Sequence, residues 1–154
     1  MLTDLRVCGL ALLEDCALEL GPGLTAITGE TGAGKTMLLT ALRLLTGKRA
    51  EPRIIKAGRE RTEVDAVISV PAGVASELEE AGFQVEAGEV TFSRTVTPSR
   101  SRAAISGRPV PAKALQDTAG NLITIHGQAD QWRLKSPTHQ RQLLDRYAPP
   151  PHEQ

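Results

Sequence analysis

Eight residues, Gly29-Glu30-Thr31-Gly32-Ala33-Gly34-Lys35-Thr36, constrain this chain more than any other stretch. They read G-x-x-x-x-G-K-[ST], a loop that cradles phosphate. Each residue type follows from that chemistry. Gly29, Gly32 and Gly34 allow a tight turn, partly at positive φ, so that successive N–H groups aim at phosphate oxygens. Glu30, Thr31 and Ala33 fill out the wrap around the nucleotide. Lys35 brings a point charge to the β- and γ-phosphates, and the Thr36 hydroxyl is a ligand for Mg²⁺. A helix starting here adds its positive end. The flanks agree. Gly23-Leu24-Thr25-Ala26-Ile27-Thr28 is apolar and β-branched and predicts a buried strand. Met37 to Leu45 predicts a helix that is apolar almost all round, hence buried, closed by Gly47. ATP with Mg²⁺ is the expected ligand.

Composition excludes several alternatives. The chain has 154 residues, enough for one domain with a core. Lys+Arg and Asp+Glu are 18 each, so there is no bulk excess of charge to neutralise nucleic-acid phosphates, although a local basic patch stays open. Aromatics are 3%, namely Phe83, Phe92, Trp132 and Tyr147, too few for a base-stacking platform. Cys8 and Cys16 fit no zinc or redox spacing and read as small buried thiols in a reducing cytosol. The first 20 residues are too charged for a signal peptide, and no apolar run approaches the roughly 20 residues of a membrane span. The expected location is the cytoplasm, with no membrane partner.

The order of elements predicts a mixed α/β chain. Leu2 to Leu10 reads as a strand, and Leu12 to Leu20 as a second, with Cys16, Leu18 and Leu20 on one face. Ile54 to Gly58 reads as a short edge strand. Glu63 to Val70 alternates with Val64, Ala66, Ile68 and Val70 on one side. Pro71 opens a helix over 72–81 that Gly82 stops. Val90 to Val96 and Arg102 to Ser106 form antiparallel strands around a turn at 97–100, with a second turn at Gly107-Arg108-Pro109. Pro111 to Ala119 reads as a helix stopped by Gly120. Asn121 to Ile125 reads as a buried strand feeding His126-Gly127-Gln128, and 138–147 as a helix before the prolines at 149–151. A disordered tail is expected over 148–154.

One part of an ATPase is missing from the sequence. No run of four apolar residues ends in Asp-Glu, the arrangement that holds Mg²⁺ and orients the attacking water. The chain is expected to bind ATP but to hydrolyse it poorly alone.

Three motifs in order carry a family resemblance. Leu2 to Leu13 followed by Gly23 to Thr36, then Arg100 to Val110, then Ile125-His126-Gly127-Gln128, resemble the start of RecN-type bacterial DNA repair proteins. Those are similar to SMC proteins, in which a split ABC-like ATPase head flanks a long coiled coil. The resemblance implies a P-loop NTPase fold of the SMC head type, with a mixed parallel core and an antiparallel β subdomain, and an N-terminal lobe over 1–147. It also implies that Gln128 coordinates Mg²⁺ and senses the γ-phosphate. Further implications are a C-terminal lobe of the same protein as partner, a head–head homodimer formed on ATP, DNA with double-stranded or broken ends as cargo, and a nucleoid location. In place of the family's usual His-Glu-His-Gln stands Ala129-Asp130-Gln131-Trp132, so no role passes to Asp130 or Trp132. His126 reads as a packed or capping residue before a site residue. Arg49, Arg53, Arg100, Arg102 and Arg108 are candidates for contact with DNA or a partner lobe, against the plainer reading of solvated charge. Two other classes remain: a stand-alone P-loop phosphotransferase, and a non-catalytic module stabilised by ATP.

Overall fold

The structure, a computed structural model, describes residues 1–29 and 33–126. Six strands form one sheet in the order β2-β1-β3-β4-β5-β6: β1 (Leu2–Leu10), β2 (Leu13–Glu19), β3 (Thr62–Ser69), β4 (Glu89–Val96), β5 (Ser101–Ile105) and β6 (Arg108–Val110). Every pairing among them is antiparallel. Three helices complete the described elements: α1 (Ala33–Leu45), α2 (Ala72–Glu80) and α3 (Ala112–Leu122).

Period-two patterning sets the two faces of the sheet. One face carries Leu5 and Val7 of β1, Val64, Ala66 and Ile68 of β3, Val90 and Phe92 of β4, and Ala103 and Ile105 of β5, all buried. They form one core with Ala41, Leu44 and Leu45 of α1, Leu78 of α2, and Leu115 and Ala119 of α3. The other face is half-buried or exposed along its length, with Asp4, Arg6, Glu63, Asp65, Ser93, Thr95 and Arg102 on it. Cys8 lies on this outer face, where its thiol donates to Asp15 Oδ1 at 3.4 Å; Cys16 lies opposite Val7 on the inner one. Both are half-buried rather than buried.

Turn chemistry matches the residues. Ser106 and Gly107, at φ 47° and 74°, make the two-residue connection between β5 and β6, so the turn sits one residue earlier than expected and Arg108 and Pro109 belong to the short edge strand. The α2 helix ends at left-handed Gly82, whose N–H donates to Glu79 O at 2.9 Å. Arg108 closes the same end: its Nη1 donates to Gly82 O at 3.2 Å and its guanidinium lies 5.8 Å from the Phe83 ring centroid.

Four expectations fail, each for a tertiary reason. Leu24 to Thr28 is not a strand; Leu24 is 99% exposed and Ile27 48%. An apolar β-branched run forms a strand only beside a ladder partner, and none of the described residues supplies one. Met37 to Leu45 is helical as expected but not buried all round: Ala41, Leu44 and Leu45 are buried in the core and the other six residues are half-buried. Asn121 to Ile125 is not a buried strand, because α3 runs through Gly120 to Leu122 and the backbone after it is irregular. Leu115, Ala119 and Leu122, at i, i+4 and i+7, keep packing on the core and outweigh one glycine. Ile54 to Gly58 contributes only a bridge, Leu10 to Ile55, because Pro52 to Ile54 forms a 3₁₀ turn. No parallel pairing therefore occurs among the described residues.

By contact pattern the chain divides into Met1–Thr124 and Ile125–Gln154. Of the second unit only Ile125, half-buried, and His126, exposed, are described. The expected helix over 138–147 and tail over 148–154 lie outside the described residues.

Candidate functional site

The phosphate-loop candidates surround the start of α1. Gly29 opens the loop, and Gly34, Lys35 and Thr36 lie in the first turn of the helix, all three exposed. Glu30, Thr31 and Gly32 lie outside the described residues, and Ala33 is described only as the first helical residue. Neither Gly29 nor Gly34 has positive φ. Gly34 is helical, so its value is its bare surface and not a left-handed turn. A Cβ on Gly29 would stand 3.9 Å from Lys35 Nζ, ordinary contact. Lys35 reaches back across the loop, and its Nζ donates to Gly29 O at 2.5 Å.

The electrostatics of that turn are unbalanced. The first N–H groups of a helix lack intrahelical acceptors and carry about half a positive charge. A carboxylate there is the usual compensation, and α1 has no acid in its first turn. Instead the turn holds Lys35, a like charge. Helix end, ammonium and the exposed Thr36 hydroxyl together make a donor set suited to a phosphate chain with a hard cation, which oxygen ligands hold. Among the described residues no group of three His, Cys, Asp or Glu side chains gathers to hold a metal without such a ligand.

The opposite end of α1 is held by close backbone approach. Gly47 is left-handed at φ 83°, and a Cβ there would fall 2.3 Å from Gln116 Cβ of α3. This contact fixes α1 against α3 and hence the start of α1 against the sheet.

Gln128, Asp130 and Trp132 lie outside the described residues. The arginine candidates separate. Arg108 is engaged at the end of α2, and Arg53 pairs with Glu51 at 2.5 Å. The side chains of Arg49, Arg100 and Arg102 have no partner among the described residues, and all three residues are exposed. Sequence reasoning missed Arg94. It sits mid-strand in β4 between Val64 and Ala103, 4% exposed, and neither its Nε nor its Nη1 has a hydrogen-bond partner. Burial lowers its pKa from the usual arginine value. The signal was present: alternation places residue 94 on the face of Val90, Phe92 and Val96.

Comparisons with known proteins place these features in a family. A family model described as an AAA domain matches residues 4–145. The chain is 46% identical over 147 residues to the DNA repair protein RecN of Streptomyces coelicolor, covering 94% of this chain and 26% of that protein. The chain thus spans about a quarter of the length of that relative. Among solved structures, the Smc head domain with an extended coiled coil from Pyrococcus furiosus superposes with a TM-score of 0.70 at 23% identity, over 94% of this chain and 41% of that one. A chain from work on ATP-driven dimerisation and DNA-stimulated activation of SMC ATPases superposes at 0.64 and 22% identity, over 96% of this chain and 99% of that one. These likenesses give the fold: a P-loop NTPase of the SMC head type.

Proposed function

The chain belongs to the AAA domain family, and from that premise we propose that it is the ATP-binding lobe of a RecN-like DNA repair protein. In this reading residues 1–147 are an N-terminal lobe. Gly29 to Thr36 wrap the triphosphate, Lys35 holds the β- and γ-phosphates, and Thr36 together with Gln128 holds Mg²⁺. The bound cation supplies charge neutralisation on the phosphates. Lys35 and the start of α1 bind and orient the nucleotide. Hydrolysis requires a carboxylate from a C-terminal lobe, since this sequence has no apolar run ending in Asp-Glu. Two such heads engage through ATP and release on hydrolysis, handling double-stranded or broken DNA in the bacterial cytoplasm at the nucleoid. ATP favours engagement because it binds the engaged state better. No helix among the described residues is long and apolar enough to cross a membrane.

The observation that carries this reading is the acid-free first turn of α1 bearing Lys35 beside the Gly29 carbonyl. The test is ATP binding and turnover by the chain alone, beside Lys35→Ala. Loss of one charge-assisted contact, about 1.5–3 kcal/mol, weakens binding by roughly 10- to 150-fold. Binding without turnover is expected. Equal affinity for the variant removes the site assignment, and Lys35-dependent turnover by the chain alone removes the need for a second lobe.

A further inference from the structure

Arg94 takes no part in the phosphate site, and the fold around it offers no counter-charge. On β4, Val90, Phe92, Arg94 and Val96 alternate onto the core face, while Thr91, Ser93 and Thr95 alternate onto the outer one. Val64 of β3 and Ala103 of β5 stand directly opposite Arg94, and both are buried. The α1 helix packs on β1, β3 and β4, and α3 packs on β5, so cover passes from one helix to the other along β4. Neither helix brings an acid to this seam. α1 contains none, and Asp117 of α3 is exposed and paired with Lys113. α3 starts just after Val110, which lies opposite Ala103, and its first turn has neither an acid nor a side-chain cap. Such a helix start adds positive potential. Glu63 and Asp65 belong to the outer face, beside Thr95 and Ser93. Thr62, opposite Val96, is the other buried polar residue among those described, and its hydroxyl donates to Cys8 O at 2.9 Å.

An arginine cannot relieve this position by losing its proton. A buried charge is met instead by a group of opposite sign that also accepts its hydrogen bonds. Nε and Nη1 both lack an acceptor, so the ligand must take up at least two N–H groups. Two oxygens on one planar group match a guanidinium. One negative charge balances one positive charge, whereas a dianionic phosphate would leave a net charge buried. Val64, Phe92, Val96 and Ala103 supply apolar walls, which favour a ligand with a single polar end. At 4% exposure the residue is within reach only of a small or slender group. We propose that Arg94 is a receptor for a single carboxylate at the seam between α1 and α3. The chemistry is the same for a free carboxylate and for a Glu side chain carried on a peptide. ATP plays no part in it.

The test is a titration of the whole chain with sodium formate at constant ionic strength, with sodium chloride making up the difference, and a parallel titration with N-acetylglutamate α-amide, a side-chain carboxylate on a peptide unit. The urea midpoint is followed in the natural chain and in Arg94→Met. A ligand that binds only the folded chain multiplies the folded-to-unfolded ratio by 1 + [L]/Kd, roughly elevenfold at ten times Kd. A saturable rise is expected in the natural chain and none in Arg94→Met. The Arg94 Nε–H resonance, followed by NMR in the natural chain, requires no variant to fold; the carboxylate should shift it and slow its exchange with water. A response to formate alone assigns the site to a free carboxylate, and a response to the capped glutamate shows that a Glu side chain enters it. No shift of the Nε–H resonance with either compound overturns the proposal. So does an equal rise of the midpoint in Arg94→Met, or a response to inorganic phosphate as strong as that to formate.

Discussion

Arg94 is the residue most at odds with its surroundings. Among the described residues the core face around it contains no acid: α1 has none, the glutamates of α2 are exposed, and Asp117 of α3 pairs with Lys113 at 2.7 Å. A buried guanidinium whose Nε and Nη1 lack hydrogen-bond partners is destabilising, and an apolar side chain of similar length removes the penalty while keeping the volume. Arg94→Met should raise the stability of the chain by about 1–3 kcal/mol, read as a higher urea midpoint at unchanged m-value; a lower midpoint would mean that the charge is satisfied. Gly47 gives the reverse case. Its left-handed φ and the closeness of Gln116 leave no room for a methyl group. Gly47→Ala should cost about 2 kcal/mol or more, measured the same way, and an unchanged midpoint would show that α1 and α3 are not in contact there. The glycine was legible as a helix stop; its role as a contact point was not, because Gln116 is 69 positions away in sequence.

Among elements, an ion cluster links the β1–β2 hairpin to the segment before β3. Glu14 accepts from Arg59 through Nε at 2.8 Å and also through Nη2, and its other oxygen lies 3.1 Å from Lys56 Nζ. Arg59 first and Lys56 second hold the Glu14 carboxyl below its usual range. A carboxylate depressed in the folded state contributes stability that is complete above its unfolded pKa, about 4.3, and lost as pH falls through the lower folded value. The stability gap between the natural chain and Glu14→Gln should therefore be constant near neutrality and close in acid below about pH 4; a gap that widens in acid would exclude the cluster as its source. At this scale the sequence was a good guide for β1, β3, β4 and α2, where alternation or a Pro-to-Gly span coincides with the observed element. It failed for 121–125, where an apolar run of five residues is ambiguous in period and the helix had a core face to extend along.

On the scale of the molecule, Leu24 and Ile27 matter most. Two large apolar side chains are exposed just before the phosphate loop. On the proposed reading they meet the rest of a protein of which this chain spans about a quarter of the length of a relative. Leu24→Ser should then leave the folding midpoint of this chain within about 0.5 kcal/mol yet weaken its affinity for a separately supplied C-terminal lobe, measured by calorimetry. Equal affinity would place that lobe elsewhere. From sequence alone came the phosphate loop, the sheet's alternating core positions and the family resemblance, because each is written in local spacing: glycines at fixed offsets, periods of two, a cation beside a helix start. Only the tertiary structure decided which apolar runs become strands, that Arg94 is interior, and that Arg108 caps α2. Those outcomes depend on which distant segment lies alongside, and ladder partners, counter-charges and covering helices are supplied by residues that local pattern cannot see.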